Sequence, residues 1–183
     1  MSFLDYFQIA TFALGVLFLI LGGNFERDAL LTIGLILGAA SLISGGVNAL
    51  LTRRTGFWGR ITRSEGYRGL PAVFLGVAFL VAGSWLLYLS AARLLGFHSW
   101  LAEVLLDRPG VLLLSISVFV LSISLSRLAA WWERPGSGWQ MVGRALYHFL
   151  DLILILLGLV AMGVGLLEIF FPTAFDQFLG TLF

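Results

Sequence analysis

Asp151 and His148 are the residues best placed to do chemistry, because they stand one helical turn apart inside a long apolar run and share a helix face. A carboxylate beside an imidazole can fix the tautomer and aim of the ring, which is what imidazoles that ligate a metal, haem or chlorin require. Asp151 falls ~9 Å inside its run. At that depth in hydrocarbon an ionisable group is either functional or paired. Arg127 stands ~6 Å inside the preceding run, measured from the same side. A structural ion pair between Arg127 and Asp151 is therefore expected, ahead of separate snorkelling or a proton-transfer role. For His148 interfacial hydrogen bonding is the favoured reading, and His148 is the cofactor candidate if a pigment binds. The other histidine, His98, falls in the gap on the opposite side, which argues against a bis-histidine haem.

These residues need helices to position them, and the composition supplies helices of one kind. The chain is 60% hydrophobic and 11% charged, with a mean hydropathy of +1.00. A soluble domain carries about 25% charged residues. Five apolar runs, roughly 6–23, 29–51, 70–95, 111–131 and 145–171, each reach the ~17 to 25 residues that span a bilayer. The expected fold is all-α, a single domain over 1–183 with five transmembrane helices in a compact bundle. The first run lacks a basic leader and a small-residue cleavage site, so it reads as a retained helix and not a signal peptide. The tail after Pro172 is too short for a sixth span.

Charge sets the expected orientation. Arg53, Arg54, Arg60, Arg63 and Arg68 face only Glu65 in the second gap, and Arg127, Arg134 and Arg144 face only Glu133 in the fourth. Both gaps should be cytoplasmic, because arginine-rich short loops are retained inside. The remaining gaps balance Arg27, Arg93 and Arg108 against Glu26, Asp28, Glu103 and Asp107. They should face outward, with the N-terminus cytoplasmic and the C-terminus outside. All 11 cationic residues are arginine, which fits the codon usage of a GC-rich bacterial genome. It also fits contacts from Arg53, Arg54, Arg60, Arg63 and Arg68 to lipid phosphates, since guanidinium forks pair bidentately with phosphate. Phe57, Trp58, Tyr67, Trp131, Trp132 and Trp139 would form an aromatic belt at headgroup depth.

Small residues recur every seven positions. The first run has Gln8, Gly15 and Gly22; the third has Gly69, Gly76, Gly83 and Ser90; the fifth has Asp151, Gly158 and Gly165. The second interleaves Gly34, Ser41 and Asn48 with Gly38 and Gly45, and the fourth uses Ser115 with Ser122 and Ser117 with Ser124. Helices already in lipid gain nothing from hydrophobic association. They associate through close backbone approach and interhelical hydrogen bonds, which small residues permit. The stripes predict inward packing faces, or faces turned toward a partner subunit, with crossings near ~20°. Phe12 to Gly23 also aligns without gaps to Val73 to Ser84, and the fifth run echoes the pattern from Leu157 to Gly165.

The first hairpin, Leu14 to Gly22 followed by Ala29 to Gly38 and Leu42 to Gly46, resembles the repeated hairpin of HdeD-type bacterial membrane proteins. The resemblance covers about a third of the chain, which lacks the family's sixth span. It implies a bacterial inner-membrane protein and a link to acid stress, and it transfers no functional residues.

Between the third and fourth runs, Ser99 could cap a short amphipathic helix lying on the membrane surface. Arg93 and Glu168 end their spans, where a solvated rim is expected. No residues form a hydrolase triad, a phosphate-cradling loop or a metal-ligand set. Loops this short leave no room for a soluble catalytic domain. Nor is there cysteine for a thiolate site. The expectation is a non-catalytic protein with no dedicated cofactor, binding lipid, partnered by the bilayer and by other membrane subunits or copies of itself, without nucleic acid. An accessory or assembly subunit of a larger complex fits best. A small transporter or channel lined by Gln8, Asn48, Ser115, Ser122 and Asp151, or an HdeD-like stress protein, are the alternatives.

Overall fold

A computed structural model describes residues 3–56, 67–96, 109–133, 140–173 and 175. Five helices follow one another: α1 (Phe3–Asn24), α2 (Asp28–Thr52), α3 (Leu70–Leu95), α4 (Pro109–Glu133) and α5 (Gln140–Phe170). All five contain a segment long and apolar enough to cross a membrane. For α5 that segment is His148–Phe170. The helix starts earlier, so its 31 residues extend ~46 Å, well beyond ~30 Å of hydrocarbon. The surface helix expected after Ser99 lies outside the described residues, as do Phe57, Trp58, Arg60, Arg63, His98 and Trp139.

Local chemistry explains where the helices stop. After α1 the chain turns through Glu26 at φ 50, and the Arg27 N–H donates to the Gly22 carbonyl at 3.0 Å. Asp28 then opens α2, where its charge complements the helix dipole. Gly69 at φ 67 precedes α3, with Pro71 in the first turn, where its missing N–H costs nothing. At the far end Gly96, left-handed at φ 71, donates to the carbonyls of Ala92 and Arg93. Arg93 in that last turn suits the negative end of the helix dipole.

The chain divides into two units, Met1–His98 and Ser99–Phe183. In the first, α2 pairs with both α1 and α3. Burial is inverted relative to a soluble protein. Ala39, Ala49 and Ala72 are fully buried while Phe3 and Leu51 are 84% and 79% exposed. Such a surface is stable in lipid and insoluble in water. Among the described residues, a buried apolar cluster gathers Leu75 and Phe79 with Phe12, Leu42 and Tyr67.

The stripes are packing faces in both units. A Cβ on Gly15 would lie 3.1 Å from the Gly38 nitrogen, and one on Gly46 would lie 2.7 Å from the Gly76 carbonyl oxygen. These separations bring backbones into contact. The repeated sequence is used twice: Gly15 and Gly22 of α1 pack on α2, and their equivalents Gly76 and Gly83 of α3 pack on α2 as well. Gly45 is buried, whereas Gly38 is half-buried and would place a Cβ at an ordinary 3.6 Å from Leu86. Toward α3, α2 presents Ala39, Ile43, Gly46 and Ala49.

In the second unit α4 and α5 form a pair. Gly165 packs on Gly110, with a Cβ on it 2.8 Å from the Gly110 carbonyl oxygen, and Gly158 packs on Leu121. Ser117, Ser122, Ser124 and Ser126 of α4 are buried, and Ser115 is half-buried.

Candidate functional site

The second unit carries ionisable groups at both ends of the α4–α5 pair. Near the start of the apolar segment of α5, Arg127 Nη1 lies 3.5 Å from Asp151 Oδ1, and His148 Nδ1 lies 3.8 Å from Asp151 Oδ2. The carboxylate therefore uses one oxygen toward the guanidinium and the other toward the imidazole. Its side chain is 4% exposed, that of Arg127 is 54% exposed and that of His148 is 16% exposed. Charge-assisted N–H···O bonds close to ~2.8 Å, so this is a loose pair. The arginine keeps much of its hydration and reaches inward with one arm.

Removing either partner has unequal consequences. Without Asp151 the arginine turns to water. Without Arg127 a carboxylate is left in apolar surroundings beside an imidazole. The arrangement can therefore act as an electrostatic lock between α4 and α5. The Nδ1 of His148 faces a carboxylate, as in many ligating imidazoles. No group of three or more histidine, cysteine or acidic side chains able to hold a metal occurs among the described residues.

At the other end, Glu168 is buried at 7% exposure, which corrects the solvated rim expected for it. Its carboxylate packs directly on Gly110, the second residue of α4. The free N–H groups of a helix's first turn and the positive end of its dipole favour an anion there. A Cβ at position 110 would collide with both that carboxylate and the Gly165 carbonyl. The sequence carried a signal for this contact: Gly110 follows Pro109 at a helix start, and Glu168 falls three residues beyond Gly165 on the packing stripe.

The first unit concentrates neutral polar groups where α1 begins and α2 ends. The backbone carbonyl of Gln8 accepts from Ser41 Oγ at 2.9 Å and from Thr11 Oγ1 at 3.2 Å. Ser41 thereby ties α2 to α1. The Gln8 side chain is fully buried, and its amide finds no hydrogen-bond partner among the described residues. Beside it, Asp5 Oδ1 and Asn48 Nδ2 converge on Gly56, where a Cβ would come within 2.9 and 3.1 Å of them. Gly56 is also left-handed, at φ 52, so no other residue fits there without strain.

Of the arginines expected to meet lipid phosphate, Arg53, Arg54 and Arg68 are described, and all three are exposed. Arg54 and Arg68 pair as an isolated antiparallel bridge, and the Gly69 N–H donates to the Arg53 carbonyl at 3.0 Å. No protein-family model, curated protein or solved structure matches the chain.

Proposed function

We propose that the chain is a non-catalytic protein of the bacterial cytoplasmic membrane that works by association, as an accessory or assembly subunit of a larger membrane complex. The observation that carries this reading is how the polar groups within the helices are used. Thr11, Thr32, Ser44, Thr52, Ser90, Ser115, Ser117 and Ser126 each donate to a carbonyl one turn back in their own helix. Ser41 donates to a neighbouring helix, and Arg127 with Asp151 joins α4 to α5. Polar groups spent on helix geometry and helix association do not line a route. Meanwhile α5 leaves Phe149, Leu152, Leu156, Val160 and Phe170 more than half exposed, an apolar face for lipid or a neighbouring subunit.

The arginine-rich connections around Arg53 to Arg68 and Arg134 to Arg144 lie on the cytoplasmic side in this reading, with the N-terminus inside and the C-terminus outside. Extraction from native membrane in mild detergent, followed by co-purification and mass spectrometry, is the test. Stoichiometric membrane partners are the expected result. A monodisperse monomer recovered without partners would overturn the proposal.

One observation favours a small transporter instead, namely the buried Gln8 carboxamide that lacks a hydrogen-bond partner among the described residues. Solute flux into liposomes that is abolished by Gln8→Leu or Asp151→Asn would establish that alternative. Absence of flux with the wild-type chain would remove it.

A further inference from the structure

We propose that the closed base of the α2–α3 connection binds the phosphate diester of an anionic lipid headgroup between Arg54 and Arg68, with Arg53 beside them. The inference rests on the membrane-spanning character of the helices and is independent of whether the chain has protein partners. It begins with the backbone. Helix α2 ends at Thr52, and Arg53 takes a left-handed conformation at φ 53 and ψ 37, which is unfavourable for a residue with a side chain. That turn aims the Arg53 carbonyl at the Gly69 N–H, 3.0 Å away, and brings Arg54 opposite Arg68 in the antiparallel bridge. The connection is thereby pinched shut at its root.

Residues directly opposite in an antiparallel pair carry their side chains on the same face, with Cβ atoms about 5 Å apart. The stems of two arginines therefore leave the backbone side by side, within reach of one anion. Like charges so placed are destabilising on their own. Both arginines are exposed, as is Arg53. The acidic group that the described structure brings to this end is Asp5, whose Oδ1 packs on Gly56. Even counting Glu65 of the connection with Asp5, two carboxylates stand against the five arginines from Arg53 to Arg68, which leaves positive charge in excess. An anion with several acceptor oxygens, gripped by both forks, converts the repulsion into attraction.

Position selects the source of that anion. Arg54 is two residues beyond the end of α2, and Arg68 is two residues before the start of α3. The ends of spanning helices sit at headgroup depth, where an anionic leaflet concentrates phosphate diesters around basic residues. The α2 C-terminus, with its negative dipole end, also favours arginine at this point. Pairing the two arginines through the backbone fixes the separation of their Cβ atoms, so less backbone freedom is lost on binding.

The test uses the full chain in mild detergent, titrated with short-chain phosphatidylglycerol or phosphatidylcholine and read by native mass spectrometry and thermal unfolding. Phosphatidylglycerol should bind and raise the melting temperature, and phosphatidylcholine should bind at least tenfold more weakly. The double variant Arg54→Gln with Arg68→Gln should lose at least tenfold in affinity for phosphatidylglycerol. Arg54→Lys with Arg68→Lys, which keeps the charge and loses the forks, should fall between. Arg93→Gln, an exposed arginine at the other end of α3, should bind like the wild type. Unchanged binding in the glutamine double variant, with its lipid-free melting temperature intact, would overturn the proposal. So would displacement of the lipid by millimolar inorganic phosphate, which would assign the site to a soluble anion.

Discussion

The two units solve the same association problem with different chemistry. In α1–α3, cohesion comes from backbone proximity, with Gly15 on the Gly34 and Gly38 backbone, Gly46 on Gly76, and a neutral hydrogen bond from Ser41 to the Gln8 carbonyl. In α4–α5, Gly165 on Gly110 gives one close approach, and ionisable side chains act near both ends: Arg127, His148 and Asp151 at one, Glu168 at the other. Neutral contacts depend on distance and alignment. The second unit adds interactions whose strength depends on hydration, and these can be weakened without moving a backbone.

Substitutions can break that comparison, and the largest effect is expected where two backbones touch. Gly46→Leu should destabilise the first unit by about 3 kcal/mol or abolish folding, because even its Cβ would press on the Gly76 carbonyl. Unfolding in detergent with denaturant, followed by circular dichroism, measures it. A loss under 1 kcal/mol would mean that α2 and α3 are not held by close approach. Next comes Gly110→Ala, expected to cost about 1 to 2 kcal/mol, since a new methyl group meets the Glu168 carboxylate and the Gly165 carbonyl. If the buried carboxylate is the main obstacle, pairing it with Glu168→Ala should recover part of that loss.

The lock at Arg127 should respond asymmetrically. Arg127→Leu should cost about 1 kcal/mol, the discount from a fully buried pair reflecting how exposed the arginine is. Asp151→Leu should cost less than Arg127→Leu, because the arginine it releases can reach water. Equal losses would show that the pair contributes by attraction alone and not by relieving a buried charge. Ser41→Ala should cost about 0.6 kcal/mol, the usual scale of an interhelical hydrogen bond in a membrane. The smallest effect, within about 0.5 kcal/mol, is expected for Gly38→Ala, where the neighbouring Leu86 leaves ordinary room. Together, Gly46 and Gly38 separate a glycine whose missing side chain permits the contact from one that lends only its backbone to it.

Much of this was legible in the residues. Apolar run lengths gave five helices, and the seven-residue recurrence located the faces that carry Gly15, Gly22, Gly76, Gly83, Gly158 and Gly165 into contact. Depth counting from the ends of the runs brought Arg127 and Asp151 to one level, and their side chains meet at 3.5 Å. What stayed hidden has physical causes. A helix with two neighbours has two faces, and periodicity could not say that α2 offers Gly46 to α3. Glu168 read as a rim residue because a charge at a span end usually reaches water, and its place three residues beyond Gly165 takes on meaning only with Gly110 beneath it. The bridge between Arg54 and Arg68 depends on a non-glycine residue adopting a left-handed turn, which no local propensity announces.

The two ends of the α4–α5 pair are linked by a shared interval. Seventeen positions separate Gly110 from Arg127, and the same number separates Asp151 from Glu168. That interval corresponds to ~25 Å of helix. In an antiparallel pair, equal spacing on both helices works as a gauge: when Arg127 is level with Asp151, Gly110 is level with Glu168. Sliding one helix by a single turn would strand a carboxylate at each end at once. The hairpin therefore has one permitted alignment, set from both ends, and an insertion or deletion of one residue between the two contacts should be far more damaging than most substitutions within them.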